Sequence, residues 1–154
     1  MQHPEYVVPA RRSGDLSISQ QEDLALQIMA LMAQRYYEGK RPMTSTEYVA
    51  RLRVQIQGVT RVLRALRLAG LVVEDASEPP RYLPNAPLEN VNLKQVLDAV
   101  RSEGASAALV RRRPRPGVHG VKEIRENIDR AMASALEGTS VRDLALGAEQ
   151  GQSD

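Results

Sequence analysis

The sequence predicts a mainly α-helical domain with one small β-hairpin, and three observations lead to this fold class. The core has to be built from aliphatic side chains and methionine, because the 154 residues include no Phe and no Trp. Apolar residues recur mostly at spacings of three and four, as on one face of a helix. The spacing changes in segments 71–73 and 81–83, two short apolar runs around a turn-rich loop that predict a hairpin.

The first predicted helix spans about residues 20–38. Ser19 stands three residues before Glu22, which is the spacing of a capping box, where two residues satisfy each other's free backbone N–H groups. Gly39 and Pro42 end the helix, since neither residue continues a helical turn easily. Its apolar face consists of Leu24, Ile28, Leu31 and Met32.

Two more helices follow closely in the sequence. Thr44 and Glu47 have the same capping-box spacing and start a second helix over residues 45–52. After a tight connection, a third helix covers about residues 55–68. Gly70 ends it, because glycine adopts the left-handed conformation of helix ends without strain. The apolar face of this third helix consists of Val59, Val62, Leu63 and Leu66.

The C-terminal part of the chain predicts three further helices. A fourth helix begins after Asn92, a residue type favoured at the N-cap. Residues 102–120 carry few signals of order, a fifth helix runs from about Val121 to Gly138, and Thr139 is placed to cap a last short helix. The apolar faces of the fourth and fifth helices are Leu93, Val96, Leu97 and Val100, and Val121, Ile124, Ile128, Met132 and Leu136.

This order of elements is typical of a winged helix-turn-helix, because a tight turn precedes the third helix and a hairpin follows it. The predicted fold is therefore mainly α with a small β-hairpin, a winged helix-turn-helix plus C-terminal helices. Its predicted parts are an irregular N-terminal arm at 1–18, a winged-helix core at 19–101, a basic flexible loop at 102–120, C-terminal helices at 121–146 and a disordered tail at 147–154.

The third helix is the candidate nucleic-acid-binding element, since the corresponding helix lies in the major groove in DNA-binding members of this fold. Arg and Gln side chains suit the edges of guanine and adenine. Residues 48–73 contain five arginines and no acidic residue. A polar face that is simply solvated explains the same pattern equally well. At about 100° per residue, the side chains that point away from the core, or flank that face, are Gln57, Thr60, Arg61, Arg64 and Arg67.

Two other charged segments bear on the choice of partner. The predicted wing carries Glu74, Asp75 and Glu78, and negative charges there would weaken contact with phosphates. The loop after the fourth helix carries a basic tract that can bind phosphate groups of nucleic acid or anionic lipid, or remain a solvated loop held extended by prolines. This tract consists of Arg111, Arg112, Arg113 and Arg115.

No residues have the spacing of a catalytic or metal site. The two histidines, His3 and His119, have no partner at ligand spacing, cysteine is absent, and no hydrolase, P-loop or dinucleotide motif occurs. The sequence therefore predicts no enzyme, no metal and no cofactor. The longest apolar stretch, residues 24–33, is about half of the ~20 residues that a membrane span needs, which predicts a soluble cytoplasmic chain.

Several segments also resemble a known family. They are the run at 69–72 (Ala-Gly-Leu-Val), the Tyr-Leu-Pro run at 82–84 and the Val-Asn-Leu run at 91–93. Together they look like the cytosolic tail of the YihY/BrkB inner-membrane proteins, formerly labelled ribonuclease BN. The resemblance implies a non-catalytic interaction or regulatory domain at the cytosolic face of the inner membrane. Its partners would be the parent membrane protein, another protein or anionic lipid.

The main alternative is a DNA-binding winged-helix transcriptional regulator that uses helix 55–68 for recognition. The chain also resembles redox-sensing winged-helix repressors that carry iron–sulfur clusters, since it shares their helix order and hairpin entry. The absence of cysteine excludes a cluster here. The acidic wing favours the interaction domain, whereas the third helix favours the regulator. The chain can be a fragment or complete, and a homodimer through the C-terminal helices remains open.

Overall fold

The computed structural model describes residues 16–109 and 120–150 of the chain. The described part contains six α-helices, three short strands and one turn of 3₁₀ helix. The helices are α1 (Ile18–Tyr37), α2 (Ser45–Leu52), α3 (Ile56–Leu68), α4 (Leu93–Leu109), α5 (Val121–Ala135) and α6 (Val141–Gln150), the strands are β1 (Met43–Thr44), β2 (Val72–Glu74) and β3 (Arg81–Pro84), and the 3₁₀ helix is Leu88–Asn90.

The predicted fold class is confirmed. The chain is mainly helical, and its strands form one antiparallel sheet in the order β1-β3-β2. The predicted hairpin is present, with Val72 opposite Pro84 and Glu74 opposite Tyr82. Strand β1 was not predicted from the sequence, and it pairs with β3 through Met43 opposite Tyr82. A strand of two residues is too short to show an alternating pattern.

The central helix of the core is α1, which packs against α3, α4 and α6. Its inward face is fully buried at Ala25, Ile28 and Met29. The other buried side chains are nearly all aliphatic, as the absence of Phe and Trp requires. Tyr48 on α2 is the one fully buried aromatic ring among residues 16–109 and 120–150.

The capping box that starts α1 is not the predicted one. Ser17 is the N-cap, where its Oγ accepts a hydrogen bond from the backbone N of Gln20 at 3.2 Å and its own N–H donates to Gln20 Oε1 at 2.9 Å. The predicted cap, Ser19, lies inside the first turn of the helix. Glu22 is not a capping residue, because its Oε1 pairs with Arg101 Nε on α4 at 2.7 Å.

The predicted cap of the last helix is also displaced by one residue. Ser140 and Asp143 cap α6, since Ser140 Oγ accepts from the N–H of Asp143 at 3.2 Å and Asp143 Oδ2 accepts from the N–H of Ser140 at 2.9 Å. Thr139 instead uses its backbone carbonyl, which accepts a hydrogen bond from the N–H of Leu93. The capping box at Thr44 forms as predicted. Asn92 caps α4 as predicted, and Gln95 completes a capping box there that was not predicted.

Two predicted boundaries differ from the structure. Helix α4 continues to Leu109, so residues 102–109 belong to a helix and not to the basic loop, because this alanine-rich segment favours helix. Helix α6 reaches Gln150, so residues 147–150 are not a disordered tail. The arm at 1–15, the basic tract at 111–115 and residues 151–154 lie outside the described residues.

The turn between α2 and α3 contains a strained backbone position. Arg53 has φ +56° and ψ +45°, the left-handed region that costs a side-chain-bearing residue roughly 1 kcal/mol. We expect Arg53→Gly to raise the free energy of unfolding by about 0.5–1 kcal/mol, measured by urea denaturation. Arg51→Gly inside α2 is the control and should lower it by about 1 kcal/mol. Equal destabilisation by both changes would contradict the assigned turn.

Candidate nucleic-acid interface

The interface is built on α3, whose two faces are sharply different. The side facing the core is buried at Val59, Val62, Leu63 and Leu66. The opposite side is polar, and every residue that the sequence predicts as a nucleic-acid contact is exposed on it. These five residues, called the α3 polar face below, are Gln57, Thr60, Arg61, Arg64 and Arg67.

A close contact near its first turn holds α3 against α1. Gly58 is buried, and a Cβ atom built on it would lie 2.8 Å from Leu16 Cδ1 and 3.5 Å from Leu24 Cδ2. A glycine at this position lets the side chains that flank the start of α1 approach the α3 backbone directly. The orientation of the α3 polar face is therefore set by the core of the domain and not by a loop.

Two arginines of the α3 polar face have acidic partners within the chain. Arg67 Nη1 lies 2.8 Å from Glu74 Oε1 on β2, and Arg64 Nε lies 3.8 Å from Glu103 Oε1 on α4. Both arginines remain at least 46% exposed, so these are surface pairs of modest strength. A phosphate group can compete with each carboxylate for the same guanidinium.

The acidic residues of the wing have structural roles that their positions in the sequence do not show. Besides its contact with Arg67, Glu74 accepts a hydrogen bond from the hydroxyl of Tyr82 at 3.3 Å. Asp75 Oδ1 accepts the backbone N–H of Arg81 at 2.8 Å and that of Ser77 at 3.0 Å, which closes the loop of the hairpin. The hydrogen bond from the Arg81 N–H, above all, lowers the pKa of Asp75.

Arg81, the basic residue at the edge of the wing, is used inside the domain. Arg81 is only 15% exposed at its side chain, and its Nη1 donates to the carbonyl of Pro42 at 2.6 Å. The same Nη1 lies 3.3 Å from Glu47 Oε2, a carboxylate that also caps α2. Arg81 thus joins β3 to the start of the helix-turn-helix and does not point a free charge at a phosphate.

Three other predictions concern the basic tract, a metal site and a membrane span. The basic tract Arg111, Arg112, Arg113 and Arg115 falls in the gap between the two described segments, so its contacts stay a prediction. Within residues 16–109 and 120–150, no three His, Asp or Glu side chains are grouped as a metal site would require. No helix of that part is long and apolar enough to cross a membrane.

Several solved structures share this fold over most of their length. IscR of T. potens covers 89% of this chain and 91% of its own at TM-score 0.65 and 17% identity. Oxidized CymR of Staphylococcus aureus covers 84% and 96% at TM-score 0.60 and 16% identity. CymR of B. subtilis, described as the global cysteine regulator, covers 85% and 97% at TM-score 0.59 and 20% identity. The TM-scores show a shared fold, and at identities this low the likeness shows the fold alone.

No protein-family model matches the sequence, and a search of curated proteins finds no match. The resemblance to YihY/BrkB tails is therefore wrong, because the similar structures are IscR and CymR, of which the B. subtilis CymR is described as a regulator. Its short runs at 69–72, 82–84 and 91–93 lie in and beside the hairpin and at the start of α4, elements that winged helices share in general. The prediction that the chain is not an enzyme agrees with these neighbours.

Proposed function

We propose that this chain is a cytoplasmic DNA-binding transcriptional regulator that contacts duplex DNA through α3 and acts as a homodimer through α5. The observation that carries the proposal is the α3 polar face, in which three arginines and a glutamine are exposed on a helix fixed to the core. Such side chains bind both phosphates and base edges in the major groove. The likeness to regulator structures supports the same function.

The electrostatics of the domain support DNA as the partner. The arginines of residues 48–73 add five positive charges around the helix-turn-helix, although the whole chain carries only +2. The acidic wing is a weaker objection than the sequence indicated, because Glu74 is paired with Arg67 and Asp75 closes the hairpin loop. A surface with clustered arginines attracts duplex DNA by releasing its condensed counterions.

An exposed apolar stripe on α5, called the α5 stripe below, supports the proposed homodimer. The stripe is exposed by 50% at Val121, 59% at Ile124 and 52% at Ile128, so this face is not covered by the rest of the described chain. The spacing of three and four residues is that of a helix pairing with another helix. The polar side carries equal numbers of both charges, which suits an identical partner: Lys122, Arg125 and Arg130, against Glu123, Glu126 and Asp129. We therefore assign the stripe to a second copy of this chain.

Binding to duplex DNA as a function of salt tests the function directly. We expect the affinity for a mixture of genomic fragments to fall steeply as salt rises, with a linear dependence of log K on log salt. The measurement is fluorescence anisotropy with the full chain. Absence of binding even at low salt would refute the proposal, and a flat salt dependence would show that phosphates are not contacted.

The pairing of Arg67 with Glu74 leads to a further prediction. Glu74→Gln removes a negative charge beside the α3 polar face and releases Arg67, so we expect the affinity for DNA to rise about three- to tenfold. Glu38→Gln at the end of α1 is the matched control, because it removes the same charge from an exposed ion pair (2.6 Å to Lys40) outside α3 and α5. An equal gain from both variants would mean that only net charge matters.

A further inference from the structure

A cavity of about 290 Å³ lies between the C-terminal end of α1, the start of α2 and the strands β1 and β3. It is separate from the α3 polar face, since no residue of α3 lines it. Ligand sites in proteins begin at about 300 Å³, so this cavity has room for a molecule with a single ring. Its walls are mainly apolar side chains, among them Met32, Met43 and Leu83.

Tyr48 lines this cavity and has an unsatisfied hydroxyl group. The residue is 0% exposed, and its hydroxyl has no hydrogen-bond partner among the described residues. Buried hydroxyl groups are nearly always paired, because leaving one without water or a partner costs free energy. Burial raises the pKa of Tyr48, and the positive charge of Arg35 opposes this rise, so Arg35 lies within electrostatic range of the hydroxyl.

The lining of the cavity is basic, and two carboxylates lie outside it: Glu38, which pairs with Lys40, and Glu47, whose charge acts on Tyr48. The charged residues among the described lining are Arg35 and Lys40, and none of the lining is acidic. Arg35 Nε donates to the carbonyl of Arg41 at 2.8 Å, which holds its guanidinium in place. Lys40 is partly neutralised, because its Nζ lies 2.6 Å from Glu38. Arg35 is therefore the cation best placed to meet a buried anionic group.

The rings of Tyr36, Tyr48 and Tyr82 also line the cavity. Aromatic and methionine side chains together favour a flat, apolar ligand body. We propose that this cavity binds a small aromatic carboxylate, whose ring lies among these side chains while its carboxylate pairs with Arg35. Binding opens the cavity wall far enough for the buried Tyr48 hydroxyl to donate a hydrogen bond to the carboxylate. This site goes beyond the proposed function and does not depend on it, because binding is measured without DNA.

The first test compares benzoate, benzyl alcohol and benzylamine, which share a ring and differ in charge. Backbone amide shifts of the ¹⁵N-labelled full chain are followed during each titration. We expect benzoate to give saturable shifts in segments 32–48 and 82–84, benzyl alcohol to bind more weakly and benzylamine not to bind. Shifts that do not saturate up to the solubility limit, or that saturate equally for all three, would overturn the proposal.

The second test removes the unsatisfied hydroxyl alone. Tyr48→Phe is expected to weaken benzoate binding roughly tenfold, since hydrogen bonds to charged groups are the stronger ones. Without ligand, the same variant should have a higher Tm than the native chain, because a buried group without a partner is gone. Tyr37→Phe is the matched control outside the lining and should change neither value. Unchanged benzoate affinity in Tyr48→Phe, or a lowered Tm, would contradict the assignment.

Discussion

Replacing Arg61 and Arg64 together by alanine is expected to weaken binding to duplex DNA a hundredfold or more. Both side chains are exposed on the α3 polar face, where each can contact a guanine edge or a phosphate. The loss of one such contact costs about 1–3 kcal/mol, and two together bring binding near to the limit of detection. Anisotropy at one fixed salt concentration measures the loss, and the slope of log K against log salt should fall by about two units.

A control variant that removes the same number of positive charges separates the loss of these contacts from the loss of net charge. Arg41→Ala with Arg142→Ala removes two exposed arginines that lie outside α3. We expect this control to weaken DNA binding only a few-fold, and circular dichroism should show that both double variants keep their helix content. If the two double variants lose the same affinity, α3 is not the recognition helix.

Introducing negative charge into the apolar α5 stripe is expected to weaken the proposed homodimer strongly. Ile124→Glu with Ile128→Glu places four carboxylates in the proposed dimer contact, because each substitution occurs in both copies. Burying unpaired carboxylates is so unfavourable that we expect the dimer dissociation constant to rise at least a hundredfold. Analytical ultracentrifugation over a range of chain concentrations measures it.

The matched control for α5 is Asn127→Glu with Ser134→Glu, which adds the same charges to exposed positions beside the stripe. This variant should stay dimeric at the concentrations where the isoleucine variant is a monomer. A native chain that is monomeric throughout the range would contradict the assignment of α5 to a second copy. That result would leave DNA contact by α3 as a separate question.

Local patterns predicted the helix-turn-helix well, because each of its signals is carried by neighbouring residues. Thr44 and Glu47 form their capping box, and Gly70 follows α3 with φ +77°. The start of α1 was ambiguous for a physical reason, since Ser17 with Gln20 and Ser19 with Glu22 both have the required spacing. Long-range contacts decide between them.

For the candidate interface, the sequence predicted which side chains of α3 face solvent but not which residues they contact. A period of 3.6 residues was enough to place five polar side chains on the open side of α3. Their partners could not be predicted, because Glu103 lies on another helix and Glu74, although near Arg67 in sequence, reaches it only where β2 folds back beside α3. The same limit explains the misinterpreted wing, in which Asp75 closes the loop through backbone contacts that a count of charges cannot show.

The nearly aliphatic core has a practical consequence for spectroscopy. Since the chain lacks Trp and Phe, its intrinsic emission and near-ultraviolet dichroism come from five tyrosines. Tyr48 is the one fully buried tyrosine in the part of the chain that the structure describes. Because its phenol is the one fully shielded from water there, the change in tyrosine absorbance on unfolding should contain a contribution from the exposure of Tyr48, without any attached label.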